Sequence, residues 1–247
     1  MRYAFFISDA HLGTDAYTPS KQRELKLIKL LRYIQDRYPP KETNIILLGD
    51  IFDFWFEWKH SVPAGFVRLL GTLADLTDSG YKTYFLPGNH DQWTFGYLSE
   101  EVGIEVVPDP WTPELNSKKF FISHGHKIPP LTLSERLINT LFESSIARKM
   151  FKFVHPDLGI WIAKKWSHTS RQNHPDVPPR KALEKYEKFI TQMEKRTHYD
   201  FYLFAHLHYP IIKRIGNSVY VNTGDWLTHF SFAIFDGNTI KLARWED

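Results

Sequence analysis

The chain of 247 residues contains no cysteine, which excludes a disulfide framework and a thiolate metal site. A chain without cysteine fits a reducing compartment, and we expect a cytoplasmic protein. No segment approaches the roughly 18 consecutive apolar residues of a membrane span, and the apolar run near the N-terminus is too short for a secretory signal. The net charge of +3 is too small to indicate a nucleic-acid partner, and none is expected.

Positive charge is concentrated in one segment of the chain. Residues 127 to 181 carry ten Lys or Arg side chains against four Asp or Glu, so the rest of the chain is net negative. The segments LSERLINTLFESSIARKMFKFV and LGIWIAKKWS in this region are amphipathic and basic. We therefore predict one domain over residues 1–247 with a helical insertion at about residues 127–195. The apolar faces of this insertion either pack on the domain or cover lipid, with basic side chains near anionic headgroups.

Short apolar runs rich in aromatic and branched residues predict buried strands. They cover residues 3–7, 45–48, 83–86, 119–122 and 201–204. Amphipathic patterns between the first three runs predict helices over residues 20–37, with Ser20 as the N-cap, and over residues 63–79. This alternation favours an α/β sheet with parallel stretches, and the turn DGN predicts a closing hairpin near the C-terminus.

Each of the five apolar runs ends in a cluster of polar side chains. Open α/β sheets bind ligands beyond the carboxyl ends of their strands, and alternate residues of an extended chain project to the same side. A single D-x-H or H-x-H is usually a solvated loop, but five clusters placed directly after strand patterns indicate one shared site. The residues of these clusters are Asp9, His11, Asp50, Asp53, Asn89, His90, Asp91, His124, His126, His206 and His208.

The ligand types in these clusters narrow the metal chemistry. Carboxylate, amide and imidazole groups without thiolate favour Mn, Fe, Zn or Ni over an all-oxygen Ca or Mg site. Seven of the cluster residues are candidate metal ligands, which is too many for one ion. Two ions about 3.5–4 Å apart, by contrast, can share a bridging carboxylate. Such a pair supplies a hydroxide nucleophile at neutral pH and stabilises in-line displacement at phosphorus. The residues therefore predict a dinuclear hydrolase of a phosphate ester or anhydride.

The order of the clusters resembles the signature of the calcineurin-like metallophosphoesterases. This chain reads DAH, GDIFD, GNHD, HGH and AHLH between residues 9 and 208. The resemblance implies an α/β fold in the form of a four-layer α/β/β/α sandwich. It implies one metal on Asp9, His11 and His208, a second on Asn89, His124 and His206, and Asp50 as the bridge.

The same resemblance implies catalytic roles for two residues. His90 would lie beside the attacked phosphorus, where it stabilises the transition state or protonates the leaving oxygen. Asp53 would orient His90. Ala205 replaces the glycine that the superfamily prefers before its H-x-H motif, which predicts either an ordinary φ at this residue or slight crowding beside the metals.

Within the superfamily, GDIFDFWF, the insertion after HG and HPDLGIWIAKKWSHTSR are similar to the UDP-2,3-diacylglucosamine pyrophosphohydrolases of lipid A biosynthesis. That resemblance implies cleavage to UMP and the diacylated sugar phosphate, with two divalent ions, of which Mn is the favoured candidate. It also implies a lid over the acyl chains and a peripheral location on the inner membrane. Candidate substrate contacts are His126, Ser167 and Arg171. The lipid A enzymes usually read HGD where this chain reads HGH, so a phosphodiesterase or phosphatase acting on another nucleotide, lipid or phosphoprotein is the alternative. A third hypothesis is a metal-free scaffold protein that keeps the fold.

Overall fold

A computed structural model of the protein describes residues 2–15, 17–171 and 180–246, and for residues 166–171 it describes the backbone alone. In these ranges eleven strands form two sheets, with the orders β11-β10-β1-β2-β3-β4 and β5-β6-β7-β9-β8. The strands are β1 Tyr3–Ile7, β2 Thr43–Leu47, β3 Lys82–Phe85, β4 Glu105–Val106, β5 Glu114–Leu115, β6 Lys118–Ser123, β7 Phe201–Phe204, β8 Pro210–Ile215, β9 Ser218–Thr223, β10 Ser231–Phe235 and β11 Ile240–Arg244.

Helices cover the outer faces of the two sheets and form the segment between β6 and β7. They are α1 Ser20–Arg37, α2 Val67–Asp78, α3 Tyr97–Glu100, α4 Leu133–Glu143, α5 Ser145–Phe151, α6 Pro156–Arg171 and α7 Arg180–Glu194, with a short 3-10 turn at Pro40–Glu42.

Three apolar layers hold the domain together. Leucines of α1 and α2 pack on one face of the first sheet, around Phe5 and Ile45. The two sheets pack face to face through residues such as Phe6 and Phe120, whose rings stack with centroids 6.0 Å apart. Tyr186 of α7 and its neighbours cover the outer face of the second sheet. The predicted four-layer α/β/β/α sandwich is therefore confirmed.

Helix α7 has a structural role that the sequence interpretation did not separate from the insertion. It lies within the predicted range 127–195, yet Tyr186 and Ile190 are buried against β7 and β9. The outer layer of the sandwich thus includes α7 but not α4, α5 or α6. The boundaries of the insertion remain a prediction.

Parallel pairing brings the carboxyl ends of the central strands to one edge of the molecule. In the first sheet Ile7 pairs with Leu47, and Leu47 pairs with Phe85. In the second sheet Ser123 pairs with Phe204, and β7 continues in parallel register with β9. The loops that follow these strands therefore begin side by side, and they carry the polar clusters.

The predicted helices agree with the structure in type and differ at their starts. Helix α1 spans the predicted residues 20–37, but Pro19 precedes it and the Ser20 hydroxyl accepts a hydrogen bond from Gly13 N (2.8 Å) instead of capping the helix. Helix α2 begins at Val67 rather than at residue 63, because Phe66 has a φ of 59°, which a helix does not admit. The hairpin at DGN is confirmed, since β10 and β11 pair antiparallel across it.

Helices α4, α5 and α6 dock on aromatic side chains of the loops that follow β2 and β3. The Phe151 ring lies 4.9 Å from the Phe56 ring and 5.0 Å from the Trp93 ring, between centroids. The indole N–H groups of Trp58 and Trp93 donate to the carbonyls of Val154 (3.0 Å) and Phe142 (2.8 Å). These contacts place the three helices next to the loop that carries Asp50 and Asp53.

The outward side of the same helices is apolar. Eight of their side chains, or of the turns between them, are more than half exposed, namely Leu133, Leu137, Leu141, Ile146, Met150, Phe153, Leu158 and Trp161. Within the described ranges, no helix combines the length and the apolar character that crossing a bilayer requires.

Candidate metal centre

The backbone turns sharply where β1, β2 and β7 enter the candidate centre. Asp9, His11, Asp50, His206 and His208 all adopt left-handed φ values, between 41° and 67°. Such a conformation costs an L-residue about 1–2 kcal/mol, and Asp and His are among the residues that adopt it most often. Ala205, by contrast, is not left-handed, so of the two expectations for this residue the structure shows the ordinary φ.

The first predicted ligand group converges as expected. Asp9, His11 and His208 each present one ligand atom within 4.8 Å of the others. Nε2 of His208 lies 3.3 Å from Asp9 Oδ1 and 3.3 Å from His11 Nε2. The other carboxylate oxygen of Asp9 accepts hydrogen bonds from Ser8 Oγ (2.6 Å) and His206 N (3.2 Å). These bonds fix the carboxylate with Oδ1 directed at the two imidazoles.

The second group forms around Asp50. Asp50, His124 and His206 present ligand atoms within 4.8 Å of one another. Oδ2 of Asp50 lies 3.2 Å from His124 Nε2 and 3.7 Å from His11 Nε2, so it stands between the two groups, where a bridging ligand belongs. Nδ1–H of His124 donates to the Leu48 carbonyl (2.9 Å), which orients the ring with Nε2 directed at the site.

Unpartnered buried atoms show that the residues fit a pair of divalent ions. Asp9 Oδ1, Asn89 Oδ1 and His124 Nε2 are buried and have no hydrogen-bond partner. A buried polar atom without a partner is rare and calls for a ligand or water. All three atoms belong to predicted ligands, and the unpartnered Asn89 Oδ1 is the neutral oxygen that the GNHD motif predicts as a ligand.

Charge interactions within the group are strong. Burial raises the pKa of the Asp50 carboxyl, but the charges of His124 and His90 outweigh burial and hold this pKa well below its usual value. Burial lowers the pKa of His124, whereas the Asp50 and Asp9 carboxylates raise it to about 10. Burial keeps the pKa of His11 and of His206 below the ordinary value. Neutral imidazoles at these two positions have lone pairs available to a cation.

His90 and Asp53 meet at the rim of the centre in an arrangement that the motif alone does not specify. Nδ1–H of His90 donates to the backbone carbonyl of Asp53 (3.0 Å). The Asp53 carboxylate lies closer to His11 Nδ1 (3.3 Å) than to His90 Nδ1 (3.9 Å). His90 N donates to Asp50 Oδ1 (2.8 Å). This geometry leaves Nε2 of His90 available to a substrate.

The model of the calcineurin-like phosphoesterase family matches residues 4–210. The chain belongs to the calcineurin-like phosphoesterase family. Its members use two metal ions, and this chain is a metal-dependent phosphoesterase whose structure contains candidate metal-binding groups.

Curated relatives and a solved structure agree with this family. The chain is 32% identical to the UDP-2,3-diacylglucosamine hydrolase of Porphyromonas gingivalis over 259 aligned residues, which cover 98% of this chain and 97% of the relative. It is 24% identical to the enzyme of the same name from Neisseria meningitidis serogroup B, over 92% of this chain and 90% of the relative. A structure described as a novel archaeal phosphodiesterase superposes with a TM-score of 0.50 at 15% identity, covering 98% of both chains, and shows the same fold.

Asp91 supports the phosphoesterase site from behind, a role that its place in the GNHD motif does not predict. Its buried carboxylate accepts hydrogen bonds from the backbone N–H groups of Asp50 (3.1 Å), Ile51 (2.7 Å), Phe52 (3.2 Å) and Gly88 (2.8 Å). Burial and the charge of Asp50 raise the pKa of Asp91 to about 7. The carboxylate joins the GDIFD and GNHD loops.

Two closely packed glycines also allow the GDIFD and GNHD loops to come together. A Cβ on Gly88 would overlap Asp50 Oδ1, and a Cβ on Gly49 would lie 2.7 Å from His124 Nδ1. Gly49 also has a φ of 79°, which favours glycine. The glycines of the two motifs therefore allow the bridging carboxylate and a predicted ligand to approach the backbone.

Arg23 supports the first ligand group of the phosphoesterase. Its guanidinium is fully buried and donates to the carbonyls of Ala10 (3.0 Å), His11 (2.8 Å) and Thr14 (2.7 Å), and also to that of Thr18. The signal in the sequence is a charged residue on the apolar face of α1, four residues before Leu27. The bonds hold the loop that carries Asp9 and His11.

The predicted substrate contacts lie in different situations. His126 is buried beside the second ligand group, with its ring centroid 5.4 Å from that of His124. Burial and the neighbouring His124 keep the pKa of His126 well below its usual value. The side chains of Ser167 and Arg171 lie outside the described part of the chain, so their predicted contacts stay predictions.

Proposed function

We propose that this phosphoesterase hydrolyses the pyrophosphate bond of UDP-2,3-diacylglucosamine and releases UMP and diacylglucosamine 1-phosphate. The observation that carries the proposal is the 32% identity to an enzyme of that name across nearly the full length of both chains. The site supports it, because every predicted metal ligand has a chemically competent side chain at a strand end.

In this proposal Asp9, His11 and His208 hold one ion, Asn89, His124 and His206 hold the other, and Asp50 lies between them. Two divalent ions, when bound, supply Lewis-acid charge and activation of a water nucleophile for in-line attack at phosphorus. Nδ1–H of His90 is held by the Asp53 carbonyl, so its Nε2 faces the substrate. In the imidazolium form, which carries a proton on both ring nitrogens, His90 donates from that atom a hydrogen bond to a phosphate oxygen or a proton to the leaving oxygen.

We propose Mn²⁺ as the working ion, with Fe, Zn and Ni as the alternatives that the same ligands accept. The mixed carboxylate, amide and imidazole set supports a first-row transition metal. Metal-free protein reconstituted with each ion and assayed at equal occupancy tests this choice. Higher turnover with another ion than with Mn²⁺ overturns it.

We also propose that the protein is cytoplasmic and peripheral on the inner membrane, and that helices α4 to α6 contact the membrane surface. The exposed apolar side chains on these helices and the basic residues among them support this contact. Sedimentation with vesicles of anionic phospholipid tests it. We expect the double change Leu137→Ser and Phe153→Ser to reduce binding, whereas Leu25→Ser, on α1, leaves it unchanged. Equal sedimentation of all three proteins contradicts the proposal.

The substrate itself is tested by incubating the Mn²⁺-loaded protein with UDP-2,3-diacylglucosamine and with a panel of soluble phosphomonoesters and phosphodiesters. Release of UMP from the lipid-linked substrate, with a much lower kcat/KM for the soluble esters, supports the proposal. If the soluble esters turn over well and no UMP appears, the substrate assignment is wrong. That result favours the phosphodiesterase alternative, to which the histidine at position 126 already points.

A further inference from the structure

The loops that follow β2 and β3 run alongside each other and are joined by backbone hydrogen bonds. The Trp55 N–H donates to the carbonyl of His90 (3.3 Å), and the Glu57 N–H donates to the carbonyl of Trp93 (3.3 Å). We call the two segments the paired ribbon, which consists of residues 53–58 and 90–93. His90 lies at one end of this ribbon, and Trp93 lies at the other.

At the metal centre, the ribbon fixes both the backbone and the side chain of His90. The His90 N–H donates to Asp50 Oδ1 (2.8 Å), and the ring Nδ1–H donates to the backbone carbonyl of Asp53 (3.0 Å). The acceptor of the ring N–H is a backbone atom of the ribbon, so the direction of the ring follows the course of the ribbon backbone. Any shift of the ribbon therefore turns Nε2 of His90 away from its present direction.

At the other end, two indole hydrogen bonds fix the ribbon to the helices that follow β6. Nε1–H of Trp93 donates to the carbonyl of Phe142, in the last turn of α4 (2.8 Å), and Nε1–H of Trp58 donates to the carbonyl of Val154, after α5 (3.0 Å). The two tryptophans are only 7% and 8% exposed. Because a buried donor without a partner is costly, these bonds define where the ribbon and the helices meet.

Aromatic packing makes the same junction rigid. The ring of Phe151, on α5, lies 4.9 Å from the ring of Phe56 and 5.0 Å from that of Trp93, between centroids. A Cβ on Gly159, on α6, would lie 3.0 Å from the Trp58 ring. Interiors packed this closely transmit a displacement instead of absorbing it. The place of α4 and α5 thus determines the place of Trp93, and with it the ribbon that holds His90.

We propose that Trp93 and Trp58 are positioning residues for His90, because their indole hydrogen bonds hold the paired ribbon in the register that directs Nε2 of His90 at the substrate. The inference rests on the catalytic role proposed for His90. It gives helices α4 and α5 a part in the reaction that is separate from their contact with a membrane.

The first test removes one N–H group and keeps an aromatic ring in its place. Trp93→Phe in the Mn²⁺-loaded protein is expected to lower kcat on bis-(p-nitrophenyl) phosphate on the order of 10-fold with little change in KM, because a displaced catalytic group slows the chemical step more than it weakens binding. Trp245→Phe is the matched control, since the buried indole N–H of Trp245 has no hydrogen-bond partner, and it should keep the kcat of the wild type. Wild-type kcat in a folded Trp93→Phe protein overturns the proposal.

A double-mutant cycle measures whether Trp93 acts through His90. In the His90→Ala background, Trp93→Phe is expected to cause less than about a twofold further loss of kcat, because the group that it positions is absent. A structural role independent of His90 would give the same factor in both backgrounds. Full additivity of the two losses therefore overturns the assignment.

The hydrogen bond of the His90 ring can also be observed without turnover. In Zn²⁺-loaded protein, which is diamagnetic, NMR detects the Nδ1 proton of His90 as a signal that His90→Ala lacks. Its exchange with solvent is expected to be about fivefold faster in Trp93→Phe and in Trp58→Phe, the factor that loss of one hydrogen bond gives, and unchanged in Trp245→Phe. Absence of this signal from the wild type, or equal exchange in all four proteins, overturns the proposal. Metal content and thermal unfolding confirm that each variant is folded, and Trp58→Phe replaces Trp93→Phe in the cycle if the latter unfolds.

The inference and the proposed function fail in different assays. Wild-type kcat in His90→Ala removes the catalytic role of His90 itself, and absence of UMP release from UDP-2,3-diacylglucosamine removes the substrate assignment. A low kcat in His90→Ala together with wild-type kcat in Trp93→Phe removes the positioning role alone.

Discussion

The backbone carbonyl of Asp53 holds His90 at 3.0 Å, while the carboxylate of the same residue lies 3.3 Å from His11. The motif suggests that the carboxylate orients His90. In the structure the side chain lies nearer to His11, a predicted metal ligand, than to His90, and any residue at position 53 supplies the carbonyl that accepts from His90. The two functions of this residue can therefore be separated by substitution.

Asp53→Ala is expected to lower affinity for the metal at the His11 position by about 10–100-fold, because the partner that fixes the imidazole is removed. Activity at saturating metal should stay well above that of His90→Ala. Metal titrations followed by activity, with Asp53→Asn as the matched variant that keeps an acceptor oxygen, measure both effects. A loss of turnover that saturating metal does not restore would show that the carboxylate acts through His90.

His90→Ala is expected to reduce kcat by about 10²–10⁴-fold, since a positioned proton donor contributes that much. The metal content should not change, because the predicted ligands keep their own hydrogen-bond partners. Elemental analysis together with kcat on a soluble phosphodiester checks both parts. His60→Ala, an exposed histidine outside the centre, is the control. Loss of metal from His90→Ala would contradict the role given to this residue.

Asp91→Asn is expected to destabilise the metal-free protein by about 2–4 kcal/mol. The side-chain amide of asparagine turns an NH₂ group toward backbone N–H groups, which in the wild type donate hydrogen bonds to the carboxylate. Denaturant unfolding at pH 8, above the pKa of about 7, measures the change when the native carboxyl is ionised. The exposed Asp78→Asn serves as the control. If the two variants unfold at the same denaturant concentration, the two loops are held together by something else.

The hydrogen bonds of Glu194 predict that the fold loses stability at acid pH, independently of the metal centre. Burial raises its pKa, but hydrogen bonds from His198 (2.7 Å), Tyr202 Oη (2.7 Å) and Tyr199 N (3.0 Å) lower it below the ordinary 4.5. A carboxyl with a lowered folded-state pKa stabilises the fold above its unfolded pKa, and this contribution is lost as pH falls through the folded-state value.

The difference in Tm between the wild type and Glu194→Gln should therefore be constant at neutral pH and shrink below about pH 4.5. Thermal unfolding of both proteins between pH 7 and pH 3.5 measures it. The exposed Glu101→Gln should show no such pH dependence. A difference that grows as the pH falls would reverse the sign and contradict the role of these hydrogen bonds.

Much of the sandwich follows from local patterns in the sequence. Buried strands and the amphipathic face of α1 are decided by hydrophobic periodicity, which acts over a few residues. The start of α2 was missed because it depends on the left-handed φ of Phe66, a conformation that no pattern of apolar residues reports. Helix α7 was assigned to the insertion because its apolar stripe does not say which sheet it covers.

The candidate metal centre likewise has parts that local sequence predicts and parts that it does not. Ligand types and their order are local, so Asp9, Asp50 and His124 could be named from their motifs. The supports of these residues are distant in sequence. Arg23 reaches back to the loop of His11, and Asp91 reaches the N–H groups after β2, so these partners emerge only when the chain is folded. The contact between Trp93 and Phe142 is hidden from the sequence for the same reason, since they lie on separate elements.

Left-handed backbone at five predicted metal ligands has a consequence for evolution. Each of these residues holds its side chain in place at a conformational cost that glycine avoids. Replacing one of them by glycine removes a ligand and at the same time relaxes the chain. At these positions the change that relieves the backbone also abolishes a candidate ligand, so only selection for function retains a side chain that the local conformation disfavours.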